Sequence, residues 1–150
     1  MNRIQTSAIA IAAIAAGACA PTLTANQSFL VPEELRIAPN GYASLKSTGE
    51  SFDLTPIKSQ ENKTDRVEIL KVHGTYILAG DGWKHAWELW PGGKDEMHYK
   101  PLTLAPGVGG FSQPTLETSG NCALLKWQKG ASPAQAYVNA DGDVNETRCP

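Results

Sequence analysis

The chain has 150 residues, which is enough for one domain, and its 13 basic and 15 acidic residues give a formal net charge of −2. The sequence contains no run of Lys or Arg that would provide a nucleic-acid footprint, and it has no acidic tail. Hydrophobic residues make up 41% of the chain, which argues against disorder of the whole molecule.

The N-terminus has the pattern of an export signal. Arg3 precedes an apolar run from Ala8 to Ala20, which is shorter than the about 20 apolar residues that cross a bilayer but typical of a signal peptide. The segment Ala16-Gly17-Ala18-Cys19 resembles the bacterial lipoprotein signal motif, with Ala16 where that motif prefers Leu. This resemblance implies that residues 1–18 are removed and that Cys19 carries lipid. A plain cut after Ala25 is the alternative.

The signal predicts the organisation of the rest of the chain. Residues 19–28 are mostly polar and would tether a β domain of residues 29–150 to a membrane. The predicted location is therefore the bacterial cell envelope, either at a membrane through the lipid or in the periplasm.

Helix signals in the β domain are few. The segment Pro32–Leu35 could open one helical turn, because it has an early Pro followed by acidic residues. Asn40-Gly41 is a hairpin signal, and Asp141-Gly142 predicts a further turn. Residues 58–66 and 106–114 are predicted loops on either side of a strand-rich segment, and residues 116–127 and 134–149 are strand-rich as well. This pattern predicts an all-β domain, a small antiparallel β-sandwich or barrel.

The segment around Asp81-Gly82 allows the register of two strands to be predicted. If these two residues form the loop, Leu78 lies opposite His85 and Tyr76 opposite Trp87. The apolar face then contains Leu70, Val72, Tyr76, Leu78, Trp83, His85, Trp87 and Leu89. The other face contains Lys71, His73, Thr75, Ile77, Lys84, Ala86, Glu88 and Trp90. We therefore expect Trp83 and Trp87 in the core, with His85 as a hydrogen-bonded core residue.

The next strand extends this sheet and creates a candidate binding patch. With residues 91–95 as the loop, Met97 and Tyr99 join the core face, whereas Glu96, His98 and Lys100 point outward. The register predicts an outer-face patch, and its members are His73, Glu88, Trp90, Glu96 and His98. In this register Trp90 lies opposite both His73 and Glu96, and Glu88 lies opposite His98. A solvated sheet face, with Trp90 covered by a loop, is the alternative.

The cysteines fit export. Once Cys19 is acylated or removed with the signal, Cys122 and Cys149 remain, and an even pair in an exported protein predicts a disulfide. Neither a CxxC motif nor a close Cys-His spacing supports a zinc site. Asn139, Asp141, Asp143 and Asn145 alternate as in a calcium loop, but that pattern lacks its Gly and its final Glu, so we expect a hairpin turn there.

Two classes of function remain open. The first is a non-catalytic binding or accessory protein of the envelope, whose partner is an envelope protein or a glycan, with a secreted inhibitor as a variant. The second is a metal-assisted hydrolase that uses His73, Glu88, Glu96 and His98, since such side chains can hold Zn²⁺ with an open position for water. No nucleotide-binding or nucleophile motif occurs, so the first class is predicted without a cofactor, a metal or catalytic residues.

Overall fold

The structure is a computed structural model, and it describes residues 33–35, 38–45, 49–64, 66–94 and 96–150. The predicted signal peptide (1–18) and tether (19–28), including Cys19, lie outside the described residues. The described ranges form β1 (Glu33–Leu35), β2 (Tyr42–Ser44), β3 (Ser51–Asp53), α1 (Thr55–Lys58), β4 (Val67–Val72), β5 (Thr75–Gly80), β6 (Trp87–Pro91), β7 (Met97–Pro101), β8 (Ser112–Ser119), β9 (Cys122–Lys129), β10 (Ser132–Val138) and β11 (Val144–Asn145).

These strands form two large antiparallel sheets and a small hairpin. The central sheet has the order β1-β4-β5-β6-β7, and the second sheet has the order β11-β10-β9-β8. Strands β2 and β3 pair only with each other among the described residues. The prediction of a single all-β antiparallel domain is confirmed, and the two large sheets stack as a sandwich around a shared core.

The central sheet is buried on both faces, which explains why every residue of β5 is buried. One face packs on the second sheet, and this core contains Leu70, Val72, Ile77, Ala79, Ala86, Leu102, Phe111, Leu116, Ala123, Leu125, Trp127, Ala136 and Val138. The opposite face packs under the β2–β3 hairpin and α1, and this core contains Ala43, Leu45, Phe52, Leu54, Ile57, Val67, Ile69, Tyr76, Leu78, Trp83, Trp87 and Leu89. Burying both faces stabilises the sheet because each face removes apolar area from water.

Two predictions for the N-terminal part of the domain need correction. Glu33–Leu35 is a strand and not a helical turn, since pairing with β4 satisfies backbone groups that a lone turn leaves open. Asn40-Gly41 does form a turn, in which Gly41 has φ +90° and donates to the Ala38 carbonyl. That turn precedes β2, however, and the hairpin itself is formed by the pairing of β2 with β3.

A second hairpin lies within residues 67–80, which the sequence predicted as one strand. His73 and Gly74 have φ of +48° and +99°, the positive pair that a type I′ turn requires, and Val72 pairs with Thr75 across them. Leu70 therefore shares a face with Ile77 and not with Tyr76. The face predicted for Leu70 and Val72 was wrong for that reason, whereas Tyr76 and Leu78 share a face with Trp87 and Leu89 as predicted.

The turn at Asp81-Gly82 is present, but the register beyond it differs from the prediction by two residues. Leu78 pairs with Trp87, and Tyr76 pairs with Leu89. The strand resumes late because other groups hold the backbone after the turn: Phe111 bonds to the backbone of Gly82 and Trp83. A shift of two residues leaves each side chain on its predicted face, whereas a shift of one would reverse the faces.

The core residues predicted in this segment are therefore confirmed despite the altered register. Trp83 and Trp87 are 1% and 2% exposed, and Met97 and Tyr99 pack against the same core. The β6–β7 register is also shifted by two, so that Trp90 pairs with His98 and Glu88 with Lys100. The loop between these strands is tight, because the Gly92 backbone N–H donates to the Glu96 carbonyl at 2.8 Å.

Candidate functional site

Three residues of the predicted patch lie on one face of the β6–β7 ladder. Glu88 and Trp90 alternate along β6, and His98 is the direct cross-strand partner of Trp90. The Trp90 and His98 rings stack with centroids 5.4 Å apart and an interplanar angle of 29°. Such contact between paired aromatic residues stabilises the ladder and fixes the position of the half-buried indole.

The remaining two members of the patch lie at its margin or away from it. Glu96 is in the β6–β7 loop, and a side chain added at Gly92 would approach both the Glu96 carboxylate and the His98 ring. His73 is in the β4–β5 turn, and the predicted pairing of His73 with Trp90 is wrong because that turn ends the strand. The predicted pairings of Trp90 with Glu96 and of Glu88 with His98 are also wrong, because the two-residue shift pairs Trp90 with His98 and Glu88 with Lys100.

Glu88 is the chemically unusual member of the patch. The residue is 5% exposed, and its Oε2 atom is buried without a hydrogen bond among the described residues. The Lys100 ammonium lies 3.7 Å from that oxygen, and the Lys100 side chain is about half exposed. Burial raises the pKa of the Glu88 carboxyl above its ordinary value, the Lys100 charge opposes this, and Asp141 and Asp143 add to the rise.

The β10–β11 turn covers Glu88 from the second sheet. Gly142 has φ +78°, and a Cβ at that position would collide with the Glu88 carboxylate. The Asn139 side chain shapes the turn, because its Oδ1 accepts hydrogen bonds from the backbone N–H groups of Asp141 and Asp143 at 3.0 and 2.9 Å. The predicted turn at Asp141-Gly142 is confirmed, and its glycine is required by the close approach to Glu88.

An open cleft of about 470 Å³ lies between this turn and the sheet, and its lining residues are Thr75, Glu88, Trp90, Lys100, Ala140 and Asp141. Thr75 ties its two sides together, because its hydroxyl donates to the Ala140 carbonyl at 2.9 Å. The cleft therefore combines an aromatic wall, a buried carboxylate and an ammonium group. A few polar groups in a concave site of this size are typical of small-ligand binding.

A second buried carboxylate, Glu61, was missed by the sequence analysis, which placed it in a polar surface loop. Its side chain is 0% exposed and accepts hydrogen bonds from the backbone N–H groups of Lys84 and His85 and from the Trp87 indole. It also bonds to Nδ1 of His85 at 2.7 Å. The loop sequence gave no signal of this role, because the partners lie more than 20 positions away.

His85 is hydrogen-bonded as predicted, but it is not a core residue. Its side chain is 43% exposed and lies edge-on to Trp87, with ring centroids 5.9 Å apart. His85 also lines a groove together with residues 101–105, Val144 and Glu146. Because Glu61 bonds to both the backbone and the side chain of His85, this carboxylate holds the start of β6 in place.

The predicted cysteine pair lies at disulfide distance. The Cα atoms of Cys122 and Cys149 are 5.8 Å apart, and their sulfur atoms are in bonding contact. Ala123, the neighbour of Cys122, pairs with Val138 immediately before the β10–β11 turn. The bridge therefore closes the end of the second sheet from which the turn reaches over Glu88.

No group of three or more His, Cys, Asp or Glu side chains in the described ranges is placed to hold a metal ion. His73, Glu88, Glu96 and His98 thus do not form the metal site of the hydrolase hypothesis. Within the described ranges, no helix is of sufficient length and apolar character to span a membrane.

Comparison with known proteins gives no match: no family model, no curated protein and no solved structure is significantly similar to this chain.

Proposed function

We propose that the chain is an exported bacterial cell-envelope protein, anchored through lipid on Cys19, whose β domain is a non-catalytic binding module. The cleft beside Glu88 and Trp90 is its ligand site. The observation that carries this proposal is the Glu88 carboxylate, a residue that lines an open cleft and whose buried Oε2 accepts no hydrogen bond among the described residues. An unsatisfied buried carboxylate costs stability, and a protein retains such a group where a ligand supplies the missing partner.

The rest of the cleft supports binding rather than catalysis. Trp90 offers a half-buried aromatic surface, and Lys100 offers donors that reach solvent. Metal-assisted catalysis would need a cluster of ligating side chains, and the described residues place none in the cleft.

Export and anchoring can be tested first. Mass spectrometry of the mature protein should find Cys19 as the first residue, with a diacylglycerol group and an acylated amine, because stable anchoring takes more than one acyl chain. The variant Cys19→Ser should move the protein from the membrane fraction to the soluble fraction. A mature chain that starts unmodified at Asn26 would rule out the anchor.

The binding role is tested at Trp90. The chain has four tryptophans, at positions 83, 87, 90 and 127, whose indole N–H signals can be resolved by nuclear magnetic resonance. A ligand in the cleft should shift the Trp90 signal and leave that of Trp127 in place, because the Trp127 indole donates to the Pro106 carbonyl away from the cleft.

The variant Trp90→Ala separates binding from packing. We expect ligand capture to be lost while the free energy of unfolding falls by less than about 2 kcal/mol, since the indole is only half-buried. A loss of about 3–5 kcal/mol, as for a core aromatic residue, would make Trp90 structural and remove the central member of the site.

A further inference from the structure

The ligand class follows from the groups that the cleft presents, and this inference rests on the proposed function. Glu88 Oε2 and Lys100 Nζ are 3.7 Å apart on directly paired residues. A carboxylate only accepts hydrogen bonds, and an ammonium only donates them. A ligand that satisfies both groups at once must carry a donor and an acceptor at neighbouring positions. Adjacent hydroxyl groups on one ring meet this requirement, because each hydroxyl both donates and accepts.

The aromatic wall adds a second requirement. Trp90 lies next to Glu88 on the same face of β6, and its stacking on His98 limits its freedom to reorient. Such an indole favours a ligand with a flat apolar face, and Thr75 and Asp141 border the cleft with polar groups. A saccharide ring combines both properties, since its C–H groups form an apolar face and its hydroxyl groups form a polar edge.

Charge distinguishes among saccharides and other small ligands. Glu88 and Asp141 carry two negative charges against the single positive charge of Lys100, which disfavours an acidic sugar. A cationic amine would instead approach the oxygen that already has the Lys100 ammonium 3.7 Å away, and like charges repel at that range. A neutral ligand avoids both penalties.

We propose that the cleft formed by Glu88, Trp90, Lys100 and the β10–β11 turn binds a neutral saccharide ring. One ring hydroxyl donates to the Glu88 carboxylate where that residue lines the cleft, its neighbour accepts from Lys100, and the C–H face of the ring packs on Trp90. The cleft volume of about 470 Å³ lies within the range of about 300–1,000 Å³ that small-ligand sites occupy. The proposed partner is thus a neutral glycan rather than a protein.

The test is a titration of the full mature chain with three probes, in which binding is measured from the indole N–H signals. The probes are a neutral N-acetylated hexosamine disaccharide, a uronate-containing disaccharide and butylamine. We expect the neutral disaccharide to shift the Trp90 signal at a concentration at least tenfold lower than either charged probe does. Loss of a hydrogen bond to a charged group is worth about tenfold or more in affinity.

Variants show whether the contacts are the proposed ones. Lys100→Met keeps the length of a half-exposed side chain and removes its charge, and affinity for the neutral disaccharide should fall about tenfold. Glu88→Gln should weaken binding as well. The matched control is Glu117→Gln, which removes an exposed carboxylate that is paired with Lys126 on the second sheet and should leave affinity unchanged.

The outcomes separate this inference from the broader proposal. Binding of butylamine or the uronate, but not of the neutral disaccharide, at Trp90 would overturn the saccharide assignment and leave the cleft as a binding site. A neutral disaccharide that binds equally well to Lys100→Met and the unaltered chain would also overturn the assignment. If none of the three probes shifts the Trp90 signal, both the saccharide assignment and the cleft as binding site are overturned.

Discussion

Two buried carboxylates lie on opposite faces of the β6 region and have opposite environments. The Glu61 side chain is fully buried and accepts four hydrogen bonds, from two backbone N–H groups, an imidazole and an indole. Glu88 is almost as buried, yet its Oε2 accepts none among the described residues and has only the Lys100 ammonium at 3.7 Å. A fully satisfied carboxylate stabilises the fold, whereas an unsatisfied buried carboxylate costs stability.

The difference follows from what each carboxylate does for the chain. Glu61 holds a loop against the irregular segment between β5 and β6, where the backbone has few ladder partners. Glu88 sits within a regular ladder, so its side chain is not needed for backbone pairing. Gly142 packs on it so closely that the turn accommodates the carboxylate without donating to it, since the Gly142 N–H donates to Asn139 instead.

Removal of the disulfide should have the largest effect on stability, and this effect should be confined to the β10–β11 turn that covers Glu88. Replacing Cys122 and Cys149 by Ser opens a bridge between residues 27 positions apart, and we expect the free energy of unfolding to fall by about 3.5 kcal/mol in the chain-entropy description. Amide hydrogen exchange should accelerate in the β10–β11 turn before it does near Glu61. Urea unfolding and exchange measure both effects.

The state of this bridge is checked by thiol labelling. Unfolded but unreduced mature protein should contain neither Cys122 nor Cys149 in a reactive form. Full labelling of both residues would show that the pair is not oxidised, and the stability effect of the double substitution would then have another origin.

Removal of Glu61 tests the satisfied carboxylate. Glu61→Ala leaves the N–H groups of Lys84 and His85 and the Trp87 indole without their acceptor, and we expect a loss of about 3 kcal/mol in the free energy of unfolding. Glu117→Ala is the control, because an exposed ion pair contributes at most about 1 kcal/mol. Equal losses in the two variants would mean that the hydrogen bonds of Glu61 contribute little.

The contact between the turn and Glu88 can be measured with a pair of glycines. Gly142→Ala and Gly120→Ala both place a side chain at positive φ, which costs about 1–2 kcal/mol. At Gly142 the new Cβ also collides with the Glu88 carboxylate, whereas at Gly120 it meets open space. We expect Gly142→Ala to be the more destabilising by about 1 kcal/mol or more in urea unfolding.

The double variant Gly142→Ala/Glu88→Ala provides the check. Truncating Glu88 removes the collision, so the extra cost of Gly142→Ala over Gly120→Ala should disappear. If the extra cost persists in the Glu88→Ala background, the close approach of the turn to the carboxylate is not its cause.

The smallest expected effect is a pH dependence specific to Glu88. Because burial raises its pKa in the folded state above the ordinary value of 4.5, the folded protein binds the Glu88 proton more tightly than the unfolded protein does. The ionisation of Glu88 therefore lowers the free energy of unfolding as the pH rises from 4.5 through the raised pKa. The free energy of unfolding increases again as the pH falls through the same range. Subtracting the free energy of unfolding of Glu88→Gln from that of the unaltered protein at each pH isolates this slope. A slope of opposite sign would mean that folding stabilises the charged carboxylate.

The sequence was sufficient to predict the class of fold and several core residues. Alternating apolar residues and glycine turns correctly predicted antiparallel sheets and the burial of Trp83 and Trp87. They did not predict the His73-Gly74 turn, because histidine at positive φ is uncommon and carries no turn signal as strong as Asn-Gly.

Long-range contacts explain the other errors. The register beyond Asp81-Gly82 depends on Phe111 and Glu61, which occupy backbone groups that a simple hairpin would have paired. The patch at Glu88, Trp90 and His98 was predicted to share one face, and the two-residue shift preserved that face by parity. The covering turn around Gly142 comes from the second sheet, and no local pattern connects it to β6.

The contrast between the two carboxylates is tested most directly by thermal unfolding of Glu88→Gln and Glu61→Gln at pH 7. We expect the midpoint of Glu88→Gln to equal or exceed that of the unaltered protein, because the substitution removes a buried charge whose Oε2 accepts no hydrogen bond. The midpoint of Glu61→Gln should fall by about 5 °C or more, because its amide places a donor against existing donors. A fall of similar size in both variants would contradict the account, since Glu88 would then be a structural group.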